Sequence, residues 1–130
     1  MIARADSFHS ALRRMLANGP LTALPTRRGD VELLLQLAAA RFEPAHAYSE
    51  KAVNVLLQEW LATFSEPYGI DHVSLRRELV DARLLVRDAS GSEYRLNPRR
   101  TRRDVPHAAP ADILAEIREQ RAARKRKHAS

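Results

Sequence analysis

Between Val53 and Phe64 the chain carries Val53, Leu56, Leu57, Trp60, Leu61 and Phe64, a nearly unbroken run of three- and four-residue steps. A period of 3.6 residues puts all six on one stripe of an α-helix, whereas a strand would alternate every second residue. Such a helix is marginal alone in water, so the rest of the chain must supply apolar surfaces to cover it. Trp60, between Leu57 and Leu61 on that face, is read as core and not as part of a cofactor site.

Those surfaces flank it in sequence. Asp6 or Ser7 is expected to cap a first helix with Phe8, Leu12, Met15 and Leu16 on one face, ended by Asn18-Gly19-Pro20. Asp30 is expected to cap a second helix with Val31, Leu34, Leu35, Ala38 and Phe42 on one stripe and Leu33 and Leu37 beside it, wide enough for a central position. Ser49 caps the Val53 helix, with Glu50 in its first turn, and Ala47-Tyr48 before it has room only for a minimal strand. Asp71 caps a fourth helix with Leu75, Leu79 and Ala82 on one face; Val73, Arg77 and, towards the edges, Ser74, Arg76 and Asp81 point away. Leu84 to Arg87 and Glu93 to Leu96 flank Ala89-Ser90-Gly91-Ser92 as a β-hairpin.

This order predicts a mainly α fold with a small β-hairpin: a winged helix-turn-helix with an extra N-terminal helix and a C-terminal helical basic tail. The boundaries fall at 1–29 for the N-terminal helix and linker, 30–97 for the winged-helix domain, and 98–130 for the basic linker and last helix. The expected core of the middle part is Leu34, Leu37, Val53, Leu56, Leu57, Trp60, Leu61, Leu75, Leu79, Leu84 and Tyr94.

Charge divides the chain in the same way. Residues 1–97 hold 12 Lys and Arg against 12 Asp and Glu, and residues 98–130 hold 10 against 4, so the tail carries the whole net charge of +6. A neutral body with a basic tail is the electrostatic footprint of a polyanion ligand such as nucleic acid. With no cysteine there is no disulfide framework, thiolate metal site or cysteine nucleophile, and no stretch approaches 18 apolar residues. Those features, with an N-terminus that lacks an apolar leader segment, predict a cytoplasmic protein.

Several strings add a resemblance. Leu24-Pro25-Thr26-Arg27-Arg28, Arg41-Phe42-Glu43-Pro44, Tyr48-Ser49-Glu50-Lys51-Ala52-Val53-Asn54 and Leu75-Arg76-Arg77-Glu78-Leu79-Val80-Asp81, followed by Leu84-Leu85-Val86-Arg87, resemble a bacterial domain family of unknown function. That family is winged-helix-like and occurs alone or behind an arsenic-repressor-type DNA-binding domain. The resemblance covers roughly residues 8 to 97; it implies a role in transcription regulation and brings no catalytic residues. Arg83 stands where the family usually has glycine, so a residue with a Cβ is expected in a left-handed helix cap, at a cost of about 1 kcal/mol. The stretch from Ser65 to Ile70 is longer than usual for the family, which bears on the angle between the two helices it joins.

No enzyme is predicted. The five histidines, at 9, 46, 72, 107 and 128, lie far apart with no i, i+4 pair, and neither a phosphate-binding glycine loop nor a nucleophile elbow is present, so no catalytic residue, cofactor or metal is assigned. The residues expected to meet double-stranded DNA are Ser74, Arg76 and Arg77 on the recognition helix, Arg87 and Arg95 flanking the wing, and Arg99, Arg100, Arg102, Arg103, Arg124, Lys125, Arg126 and Lys127 in the tail. Cross-strand pairing with Asp88 or Glu93 is the competing role for Arg87 and Arg95. The whole reading is a DNA-binding transcriptional regulator, against a protein-interaction or RNA-associated winged helix in which only the tail meets nucleic acid. Ile113, Leu114 and Ile117 in a helix over 111–120 are expected to join a second copy, with the first-helix stripe of Phe8, Leu12 and Met15 as a matching surface, against the alternatives that the helix folds back on its own domain or frays until a partner arrives; the Arg121 to Lys127 run beyond them is expected to be mobile until it meets phosphate.

Overall fold

The computed structural model describes residues 3–102 and 110–129. Five helices and three short strands follow one another as α1 (Ala3–Met15), α2 (Arg28–Ala39), β1 (Tyr48–Ser49), α3 (Glu50–Leu61), α4 (His72–Asp81), β2 (Leu85–Arg87), β3 (Glu93–Leu96) and α5 (Pro110–Ala129). The architecture is mainly helical with one small antiparallel sheet, in the order β1-β3-β2. Tyr48 pairs with Tyr94 and Ser49 with Glu93; Leu85 pairs with Leu96, Val86 with Arg95 and Arg87 with Tyr94. The expected hairpin and minimal third strand are therefore both present, the latter one residue later than Ala47-Tyr48.

Every residue of the expected core is buried except Leu56, which is half-buried. The reason is packing order: α3 lies against α4, α4 against α2, and β2 closes on α4. Trp60 meets Phe64 edge to face, with ring centroids 4.6 Å apart. Ser49 Oγ accepts from the Ala52 amide at 3.0 Å, and Asp71 accepts from the amides of Val73 and Ser74 at 3.3 Å each, so both expected caps form.

Two caps differ. Helix α1 begins at Ala3, upstream of Asp6 and Ser7, and α2 begins at Arg28, so Asp30 sits inside its first turn. Asp30 is buried and takes two hydrogen bonds from the Arg14 guanidinium, at 2.9 and 2.6 Å. A long-range ion pair has replaced a local cap, which no local spacing could announce. Those bonds hold the Asp30 carboxyl below the usual carboxylate range, against the burial that pushes it up.

The linker after α1 is stapled to the turn between α3 and α4. Leu21 donates to the Phe64 carbonyl at 3.0 Å and accepts from the Glu66 amide at 2.8 Å. Gly69 allows this approach, since a Cβ there would lie 2.7 Å from the Leu21 carbonyl oxygen. The long Ser65 to Ile70 stretch is thereby an ordered joint, with Phe64, Ser65 and Ile70 buried.

The tail departs most from expectation. Helix α5 starts at Pro110, as expected, but runs to Ala129 and takes the Arg121 to Lys127 run with it. Ile113, Leu114 and Ile117 are buried within this chain, in one core with Leu12 and Leu16, so they are not free to join a second copy. Helices α1 and α5 lie side by side and run in the same direction: His9 and Arg13 reach Glu116, at 3.6 and 3.3 Å, Arg13 reaches Gln120 at 2.7 Å, and Arg121 donates to the Ala17 carbonyl. The parts read as 1–29, 30–97 and 98–130 thus share a single core. Among the described residues no helix is long and apolar enough to cross a membrane.

Candidate nucleic-acid interface

Helix α4 begins with its Asp71 cap. The Ser74 hydroxyl also donates to Asp71, at 3.1 Å, so it belongs to the cap. Burial pushes the Asp71 carboxyl up, but the hydrogen bonds from Val73 and Ser74 together outweigh it and hold the group below its ordinary range.

Arg76 is withdrawn from solvent. Its side chain is only 13% exposed, its guanidinium is 2.9 Å from Glu50 Oε1, and it donates to Asn54 Oδ1. At 100° per residue Arg76 lies at the margin of the outward face, and the margin that α3 covers is the one it occupies. It braces α4 against α3, so the structure ties to a neighbouring helix a guanidinium that the sequence reading directs at DNA. Arg77, one step round, is exposed and has no partner among the described residues. Its exposed neighbours on α4 include Glu78 and Asp81, which leave the outward face without a positive excess.

The hairpin is stiffened at its tip by Asp88. Its carboxylate accepts from the amides of Ser92 and Glu93, at 2.8 and 3.2 Å, and from the hydroxyls of Ser90 and Ser92, at 3.1 Å each. These bonds, the Glu93 amide foremost, keep Asp88 ionised to lower pH than an ordinary aspartate. Asp88 therefore organises the turn and does not pair with Arg95. Arg95 pairs along its own strand with Glu93, at 3.7 Å, both about half exposed. Arg87 folds over the turn, where a Cβ on Gly91 would come within 2.3 Å of its Nη2 atom.

The remaining expected contacts separate into two groups. Gln36 clips the chain after the hairpin onto α2, donating to the Arg100 carbonyl at 3.0 Å and accepting from the Arg102 amide at 2.9 Å. Arg99 is exposed beside this clip, and the Arg102 guanidinium stacks 5.0 Å from the Phe8 ring centroid. Arg103 lies outside the described residues. Arg124, Lys125, Arg126 and Lys127 are exposed on the second half of α5. Arg124 shares a recess of about 320 Å³ with Arg13, Arg14 and Arg121. Arg13, Arg14 and Arg121 were not expected there, because the pairing of α1 with α5 that gathers them is a tertiary fact. The only local signal was the continuation of the Ile113, Leu114 and Ile117 stripe into Arg121 and Arg124 at helical spacing.

Among the described residues no three His, Asp or Glu side chains gather to hold a metal ion. No curated protein and no solved structure matches the chain. A family model does match, over residues 20–96, which take in α2, the three strands, α3, α4 and the linker that staples their turn. The chain belongs to the family described as uncharacterized proteins conserved in bacteria (DUF2087).

Proposed function

We propose that this protein is a DNA-binding transcriptional regulator whose α2 to β3 unit is a winged helix-turn-helix, with α4 as recognition helix and the β2-β3 hairpin as wing. The observation that carries the reading is the pairing of β1 with β3 beside a hairpin that closes on α4: a short strand, two helices joined by a turn, then two strands, in that order. Arg77 supplies the base or phosphate contact of α4, Arg87 and Arg95 the backbone contacts of the wing, and the second half of α5 a rigid basic arm for neighbouring phosphates. A helical arm presents its charges at fixed spacing, at lower ordering cost than a free tail.

The outward face of α4 favours a second reading. With Arg76 tied to Glu50 and with Glu78 and Asp81 beside Arg77, this face suits a protein or RNA partner, the α5 arm alone meeting nucleic acid. Fluorescence anisotropy on a set of duplexes separates the two, using wild type, Arg77→Ala and a chain ending at Gln120. Sequence-selective binding that survives removal of the arm and relaxes in Arg77→Ala is the result expected of the DNA reader. Binding that is equal for all duplexes and vanishes with the arm assigns the body to another partner.

A further inference from the structure

A cavity of about 480 Å³ opens between the start of α2, the C-terminal cap of α4 and the chain at Arg100 to Arg102, with Phe8 of α1 also lining it. Its volume is within the range of small-molecule sites. Arginines 28, 83, 100 and 102 line it, against Glu32 and Asp81. Arg28 and Glu32 are an i, i+4 pair at 3.2 Å and largely cancel. The Arg83 and Arg100 guanidinium groups have no hydrogen-bond or ion-pair partner among the described residues. The cavity therefore keeps a positive excess, while Leu33, Leu84 and Phe8 give it apolar surface.

Arg83 adds an independent argument. Its φ is 62°, the left-handed region that favours glycine. It is held there by two main-chain bonds, Arg83 N–H to the Val80 carbonyl at 3.0 Å and Leu84 N–H to the Leu79 carbonyl at 2.9 Å, and by the Asn97 side-chain amide, which donates to the Arg83 carbonyl at 2.9 Å. Glycine would make all three without strain. What arginine alone adds at this position is a guanidinium on the cavity wall. Ala45 and Tyr68 share this conformation, so what sets Arg83 apart is its place among the cavity's lining residues.

We propose that this cavity binds a small organic anion, its phosphate or carboxylate head held by Arg83 and Arg100 and its apolar body set against Leu33 and Phe8. The wall that would sense it includes Asp81, Ala82 and Arg83 at the end of α4, so occupancy bears on the helix placed at DNA above. The site itself stands whether or not α4 reads DNA.

Titration of the isotope-labelled full chain with phenyl phosphate, benzoate and benzyl alcohol, without DNA, tests it by amide shifts. Phenyl phosphate or benzoate is expected to give saturable shifts at Gly29, Ala82, Arg83 and Leu84 with a Kd near or below about 1 mM, and the tighter of the two identifies the head group. Arg83→Gly, which the backbone accommodates, and Arg100→Ala should each weaken that binding about tenfold. Equal binding of the neutral alcohol, shifts that stay linear to about 10 mM, or wild-type affinity in both variants would overturn the proposal.

Discussion

Single side chains carry two kinds of work here. Trp60 is 7% exposed and wedged against Phe64, so Trp60→Ala removes a large buried ring and should lower stability by about 3 to 5 kcal/mol in a denaturant titration. Asp30 is an electrostatic element, an acid folded into the α2 start by Arg14. Its folded pKa is depressed, so its stabilising contribution is present above the ordinary aspartate pKa of about 3.9 and is lost as pH falls through the lower folded value. Asp71 and Asp88 are depressed in the same direction and add to the same acid limb. Asp30→Asn should thus melt below wild type at neutral pH, the gap closing as both are acidified. A gap that stays constant down to pH values near the folded pKa would show that Asp30 acts through shape alone.

Among elements, α4 decides most, because two adjacent arginines on it have opposite fates. Arg76 is bound by Glu50 and Asn54 across the α3 interface, so Arg76→Ala should destabilise by about 1 to 2 kcal/mol through a lost part-buried, charge-assisted pair. Arg77 touches solvent, and Arg77→Ala should leave stability within about 0.5 kcal/mol while lowering DNA affinity and reducing the salt slope by about one unit. Thermal melts and salt-dependent anisotropy on the two variants read both quantities. Loss of affinity with Arg76→Ala at full stability would reverse the assignment of the two residues.

For the whole molecule the consequence lies in α5. Because Ile113, Leu114 and Ile117 complete the core with Leu12 and Leu16, Ile113→Glu should unfold or strongly destabilise the chain, since a carboxylate there has no partner. Removal of residues 121–130 should instead leave the melting temperature near wild type and weaken binding to any polyanion in a salt-dependent way. Circular dichroism melts of both variants check this. An Ile113→Glu protein that melts like wild type would return the stripe to an intermolecular role.

How far the sequence reached follows from the range of the forces involved. The helices of the body, the Ser49 and Asp71 caps, the hairpin and the Pro110 start were legible, because periodicity, capping and turn chemistry act within a few residues of chain, whereas the left-handed Arg83 cap followed from the family resemblance alone. The core was legible for a related reason: each amphipathic stripe has one face to bury. Partner choice between distant segments was not. Asp30 is a cap by spacing and an ion-pair partner of Arg14 in fact; Arg76 is a basic residue of the recognition-helix start by type, and the fold packs it against α3; Ile113, Leu114 and Ile117 need a covering surface, on a second copy or on this chain, and only the fold chooses α1 of the same chain. The cavity of Arg83 and Arg100 belongs to the same class, since the segments that wall it lie far apart along the chain. Local sequence fixes backbone shape and which faces are apolar, while charges and apolar faces are matched across space by tertiary packing, whose energies depend on geometry that no short stretch contains.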